Sequence, residues 1–352
     1  MPLSLLDVVA RADSFSYATD AAIASSSLTP TGTALRVGHT LVGFIRPALA
    51  PYLLAHPDVF LLSTPPPSPP TAAAAAAAAA PSIVIHPALA TPADRTRAIE
   101  AVLLTWRNAI RGSDNSTLTF ADADRQMFTC LKGWRNERYS VHGGREHGVL
   151  FDLERAATGL LGIRAYGCHL NGFVRSSSPT ASGGEKICMW IARRSESKQT
   201  YPGMLDNLVG GGLATTTTPL DNIVKECGEE AGLDPQYVAK HITSVGVLTF
   251  FLDDAERGWV PDTEYVYDIE LPESFVPQPV DGEVQAFHLL ELSAVVERLR
   301  AGEFMNESAL VVIDFLIRFG FVTPMNEPDY VEIVSRMHRR LAAPGPRFVT
   351  AA

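Results

Sequence analysis

Two periodicities alternate along this chain. Leu3, Leu6, Val8 and Val9 open it at helical spacing, and Thr40 to Ile45 then reads as a strand that Pro47 ends. A short helix through Tyr52 to Leu54 stops at His56-Pro57. Thr91 and Pro92 form a helix start, as N-cap and first helical residue. Ala93 to Ile110 follows with Val102, Leu103, Trp106 and Ile110 as its apolar positions. After a polar loop from Gly112 to Thr117, GWRNERYSV leads into a strand, and Asp152 to Leu161 reads as a short helix ending at Gly162. AYGCHLNGFV and KICMWIARRS read as strands around the polar loop Ser176 to Gly184. A loop carrying Lys198 and Tyr201 then enters another short strand.

Leu220, Ile223, Val224 and Cys227 give the next helix its buried face, with Thr218 as N-cap, Pro219 in the first position and Gly232 as the stop. Ile242 to Leu252 and Glu264 to Leu271 read as paired strands, and a Pro-rich loop precedes a further strand from Glu283. Leu292 to Leu299 and Ser308 to Phe319 are helices, the second strongly apolar. Strands interrupted by one helix and closed by helices predict an α/β fold: an α/β/α sandwich around a mixed sheet, behind a smaller α+β N-terminal domain. The expected division is 1–157, 158–325 and a C-terminal helical tail, 326–352.

Composition narrows this. With 352 residues, 46% of them hydrophobic, the chain can hold two cores. The Pro/Ala stretch 63–81 is low-complexity and expected to be a surface insertion without function. A net charge of −10 argues against a general nucleic-acid binder, although a metal ion can still invert local charge for a phosphorylated small molecule. Cys130, Cys168, Cys188 and Cys227 lack metal-site spacing and read as reduced, buried thiols. No apolar run spans a membrane, and the N-terminus does not read as a secretory signal. The expected compartment is the cytoplasm, with an organelle left open.

The chemistry lies in GGGLATTTTPLDNIVKECGEEAGL, residues 210–233. Glu226, Glu229 and Glu230 stand at i, i+3 and i+4, which puts three carboxylates on one helical face. Such a face is either solvated or built for a cation. The triple glycine before it lets the backbone approach a ligand closely.

This stretch resembles a Nudix box, G-x5-E-x7-R-E-U-x-E-E-x-G-U with U apolar. Gly211, Glu226, Cys227, Glu229, Glu230, Gly232 and Leu233 match it, while Thr217 replaces the first glutamate and Lys225 the arginine. Lysine keeps the charge but not the planar fork. VGFIRP, HPDVF, WRNERYSV, ERAATGLLGIRAYGCHLNGFV, TYPGMLDNLVGGG, LPESFVP, DGEVQAFHLL and IDFLIRFGFVTPMNEPDY further resemble a eukaryotic Nudix subgroup related to thiamine pyrophosphokinase proteins, with an accessory domain before the Nudix domain.

The resemblance implies a Nudix sandwich and metal-dependent hydrolysis of a diphosphate. It implies metal ligands at Glu226, Glu229, Glu230 and the Gly211 backbone, with Mg2+ as cofactor and Mn2+ as the alternative. Glu229 and Glu283 are the candidate bases. Arg193 and Arg194 are candidates for the diphosphate, one of which must point away if the strand continues through them. Tyr166, His169, Trp190 and Tyr201 are candidates to stack on a ring, and Arg135, Arg138 and Tyr139 to line a phosphate or ring pocket. The implied substrate is a thiamine-type diphosphate, especially an oxidised or damaged one, cleaved to the monophosphate and phosphate. Oxidised nucleoside diphosphates such as 8-oxo-dGDP and a non-catalytic binding module are the alternatives. The expected partner is a small molecule, with neither nucleic acid polymer nor membrane; the oligomeric state stays open.

Overall fold

The computed structural model describes residues 2–15, 32–63, 81–112, 118–145, 147–176 and 186–348. Nearly all of the Pro/Ala stretch and of the loops after Gly112 and Ser176 lies outside these residues.

Helix α1 (Leu5–Ala12) is closed by a capping box between Ser4 and Asp7. A four-stranded sheet follows, from β1 (Thr33–Val37), β2 (Thr40–Ile45), β3 (Phe60–Ser63) and β4 (Ser82–Ile85), in the order β2-β1-β4-β3. Between β2 and β3 runs α2 (Ala50–Leu54), and after β4 comes α3 (Pro92–Arg111). Thr91 and Asp94 cap the start of α3, and Gly112, at φ 70°, ends it in the left-handed region that glycine enters freely. Trp106, Phe128 and Phe151 lie at the centre of this first core.

The expected helix from Asp152 to Leu161 is not there. The hairpin β5 (Arg138–His142) and β6 (Val149–Glu154) occupies its first residues, and only Arg155–Ala157 makes a single 3-10 turn. Leu153 pairs opposite Tyr139 and both are buried, so a cross-strand partner decides against the helical spacing.

The second sheet is built from β7 (Ala165–Ser176), β8 (Lys186–Arg194), β9 (Leu205–Asp206), β10 (Val209–Gly212), β11 (Thr243–Asp254), β12 (Gly258–Glu270) and β13 (Val284–Glu291). Its order is β11-β12-β7-β8-β13, with β10 on β7 and β9 on β8. The β7–β12 pair is parallel and the others antiparallel, so the sheet is mixed. Successive side chains alternate faces. Val174, Trp190 and Tyr267 pack with α4 (Pro219–Ala231) and α5 (Pro235–His241). Phe173, Ile191 and Val266 pack with α1, α6 (Leu292–Arg300), α7 (Asn306–Arg318) and α8 (Tyr330–Met337). This is the expected α/β/α sandwich.

Helix α1 joins this second core instead of the first sheet: Leu5, Val8, Val9 and Ala12 are buried there. Asp13 explains the placement. Its buried carboxylate accepts from the Phe251 amide at 2.9 Å and pairs with Arg339 at 2.6 Å, tying both ends of the chain to β11. The expected helical tail is helical only through α8; beyond His338 the described chain has no helix.

Candidate functional site

Strand β10 carries the three glycines past α4. A Cβ on Gly211 would come within 2.8 Å of the Glu226 side chain, and one on Gly212 within 1.9 Å of the Tyr139 hydroxyl. Bare backbone is therefore what lets the sheet, the helix and the β5 hairpin meet at one point. Thr218 caps α4 by accepting from the Asp221 amide, and Gly232 stops it in the left-handed region at φ 65°. Ile223, Cys227 and Ala231 anchor its inner face, which fixes where the three glutamates project.

They project to different depths. Glu230 is buried and accepts from the Gly210 amide at 3.1 Å. Glu226 is largely covered, and Glu229 is half exposed, with Lys225 Nζ at 2.6 Å. Across from α4, the turn before β13 brings Asp281 and Glu283 toward Glu230, and the three offer oxygens within 4.8 Å of one another. Lys198 pairs with Glu283 through Oε2. Burial pushes Glu230 and Glu226 above the usual carboxylate range, Lys225 partly opposing it at Glu226. At Glu283 the same effect is outweighed by Lys198, which holds that carboxyl below its ordinary value. Three hard oxygen donors, one of them a buried carboxylate without an ion pair among the described residues, fit a hard divalent cation.

These groups form one end of a cleft of about 950 Å³ that also takes in Lys132, Arg135 and Tyr139 from the region ahead of the second sheet. Its inner end is a buried charged chamber. Asp262, Glu264 and Glu307 lie there with Arg155 and Arg257, which pair with Glu137 at 3.0 Å and Glu307 at 2.8 Å. Burial pushes Asp262 up to about 6 and Glu264 upward as well. One oxygen of Glu264 and one of Glu307 have no hydrogen-bond partner among the described residues.

The cleft brings together Glu226, Glu229, Glu230, Glu283, Gly211, Arg194, Tyr166, His169 and Tyr201. Three expected residues are elsewhere. Arg193 turns out of the cleft and donates to the Gly203 carbonyl at 2.7 Å, and Trp190 packs in the core beneath α4. Arg194 lines the cleft, but its fork is fully engaged: with Asp206 at 2.6 Å, and with the carbonyls of Tyr201 and Thr200 at 3.2 and 3.0 Å. That makes it a structural arginine. Arg138 leaves the cleft for a two-pronged contact with Glu100. His169 is buried, with Nδ1 2.8 Å from Asn207 and Nε2 3.6 Å from Glu264, so both ring nitrogens face polar groups. Burial pulls its pKa down.

Asp281, Arg155, Arg257, Asp262, Glu264 and Glu307 escaped the sequence reading. One signal was present: Asp262 and Glu264 sit at i and i+2, an acid pair on one face of a strand that also carries Trp259, Val260, Tyr265 and Val266.

Comparison with known proteins agrees with this architecture. A family model described as a NUDIX domain matches residues 179–309, and a domain of unknown function (DUF4743) matches 16–114 and 115–165. Nudix hydrolase 20, chloroplastic, of Arabidopsis thaliana is 35% identical over 301 residues, 85% of this chain and 71% of that protein. An uncharacterized protein of Saccharomyces cerevisiae is 42% identical over 224 residues, covering 61% of this chain and 64% of its own length. An Ap4A hydrolase of C. elegans, known in a binary complex, aligns over 45% of this chain and 99% of its own at 13% identity, with a TM-score of 0.32. The chain belongs to the Nudix hydrolase family, with a DUF4743 region ahead of its Nudix domain. Members of that family hydrolyse phosphorus-containing anhydrides with divalent metal ions. Among the described residues no helix is long and apolar enough to cross a membrane.

Proposed function

We propose that this protein hydrolyses thiamine-type diphosphates, oxidised or damaged forms above all, to the monophosphate and phosphate with Mg2+. The observation that carries the reading is the approach of Asp281 and Glu283 to Glu230 at the mouth of a cleft large enough for a heteroaromatic diphosphate. Glu226, Glu229, Glu230 and the Gly211 backbone, joined by Asp281, would hold the metal. When bound, it would neutralise charge on the phosphoryl oxygens and acidify water.

The chain's own groups do the rest. Lys198 holds Glu283 ionised through Oε2, which leaves Oε1 to take the proton of the attacking water. Tyr166 and Tyr139 supply aromatic wall, and the orphan oxygens of Glu264 and Glu307 suit a ring that carries N–H donors. The amino-bearing pyrimidine of a thiamine-type compound is such a ring.

Phosphate release with Mg2+ from oxothiamine diphosphate, thiamine diphosphate and 8-oxo-dGDP, with AMP release from ADP-ribose, tests the reading. A preference for the damaged thiamine compound is expected. A preference for 8-oxo-dGDP would replace this reading with a nucleotide-pool function.

A further inference from the structure

We infer that Arg135, supplied by the region ahead of the Nudix domain, grips the diphosphate of the substrate; the inference rests on reading the cleft as a diphosphate site. Four arginines line that cleft among the described residues: Arg135, Arg155, Arg194 and Arg257. Three are matched by carboxylates, Arg194 by Asp206, Arg257 by Glu307 and Arg155 by Glu137. Arg135 has none. Its Nε donates to Gln199 at 3.2 Å, and its two terminal nitrogens meet no acceptor among the described residues. Those nitrogens form the half of the fork that fits two phosphate oxygens.

The placement is specific and held. The Arg135 amide donates to Glu154 at 2.9 Å, and Trp134 Nε1 donates to Asn136 at 3.0 Å. Asn136 sits at φ 59°, a left-handed conformation that asparagine tolerates, so a tight turn aims the side chain. Gln199, its partner, follows Lys198, which pairs with Glu283. Through Gln199 the guanidinium thus neighbours the loop that carries Lys198, and it lies near enough to Arg155 to feel its charge. Burial and the like charge of Arg155 both pull its pKa down. Glu137 and Glu283 oppose this only from a distance, so a half-buried guanidinium beside a second one, with no carboxylate in contact, gains from an anion that joins them. A substrate diphosphate is that anion.

The test is calorimetric binding of imidodiphosphate, a non-hydrolysable P–N–P analogue, with Mg2+ to the full chain. Arg135→Gln should weaken it at least about tenfold with the melting temperature unchanged. Arg135→Lys, which keeps the charge without the fork, should fall between that variant and the wild type. Arg138→Gln, outside the cleft, should bind as the wild type does. Wild-type affinity in Arg135→Gln, or no binding by the wild-type protein, overturns the inference. The outcome is separable from the substrate assignment. A protein that ignores every thiamine compound yet loses imidodiphosphate with Arg135→Gln keeps this site. One that turns thiamine compounds over and binds imidodiphosphate unchanged without Arg135 does not.

Discussion

Arg194 and Arg135 line the same cleft from different parts of the chain and are used in opposite ways. On the Nudix wall, Arg194 is buried, with every arm of its fork engaged by Asp206 and two carbonyls, so it holds β8 to β9 and has nothing left for a ligand. On the wall from the first core, Arg135 is fixed by its backbone and leaves two nitrogens open. The same residue type is structure in one place and recognition surface in the other. Proximity to the cleft does not separate them; the partners already present do. The Nudix part provides the acid end, and the region ahead of it brings the open cation.

The comparison can be broken first at Arg194. Arg194→Met leaves the buried Asp206 carboxylate unpaired and should cost about 3–5 kcal/mol in urea unfolding at neutral pH. Asp206 is held below its usual 3.8, since Arg194 and His169 outweigh the effect of burial. A depressed carboxyl adds stability that is complete above the unfolded value and lost as pH falls through the folded one. The gap between variant and wild type should therefore shrink toward acid pH.

The seam between the walls comes next. Gly212→Ala places a methyl against the Tyr139 hydroxyl and should cost about 1–3 kcal/mol by overpacking, measured the same way. The smallest effect is at Lys225. Its pair with Glu229 is half exposed and runs lysine-first along the helix, the weaker order, so Lys225→Ala should change unfolding by only a few tenths of a kcal/mol.

What the sequence made legible follows the range of the forces involved. Helix α4 was readable to its ends, because Thr218, Pro219 and Gly232 act on their immediate neighbours. Strand β2 was readable to the residue for the same reason. The segment after Asp152 was misread because the partners of Leu153 lie across a hairpin. Asp281 was invisible because only the folded turn before β13 brings it to Glu230, far away in sequence. The engagement of Arg194 depends on a strand pairing that places Asp206 beside Ala192. Helix α1 carried the right spacing and gave no hint of which core it would join.

The most direct test of the account is phosphate release from oxothiamine diphosphate with Mg2+, wild type against Glu230→Gln. Glutamine keeps an oxygen for the Gly210 amide and removes a buried charge, so the variant should melt no lower than the wild type. Turnover should nevertheless fall by more than about 100-fold, beyond what loss of an outer partner to a metal site costs. A folded Glu230→Gln protein that releases phosphate at the wild-type rate would contradict the placement of hydrolysis at this cleft.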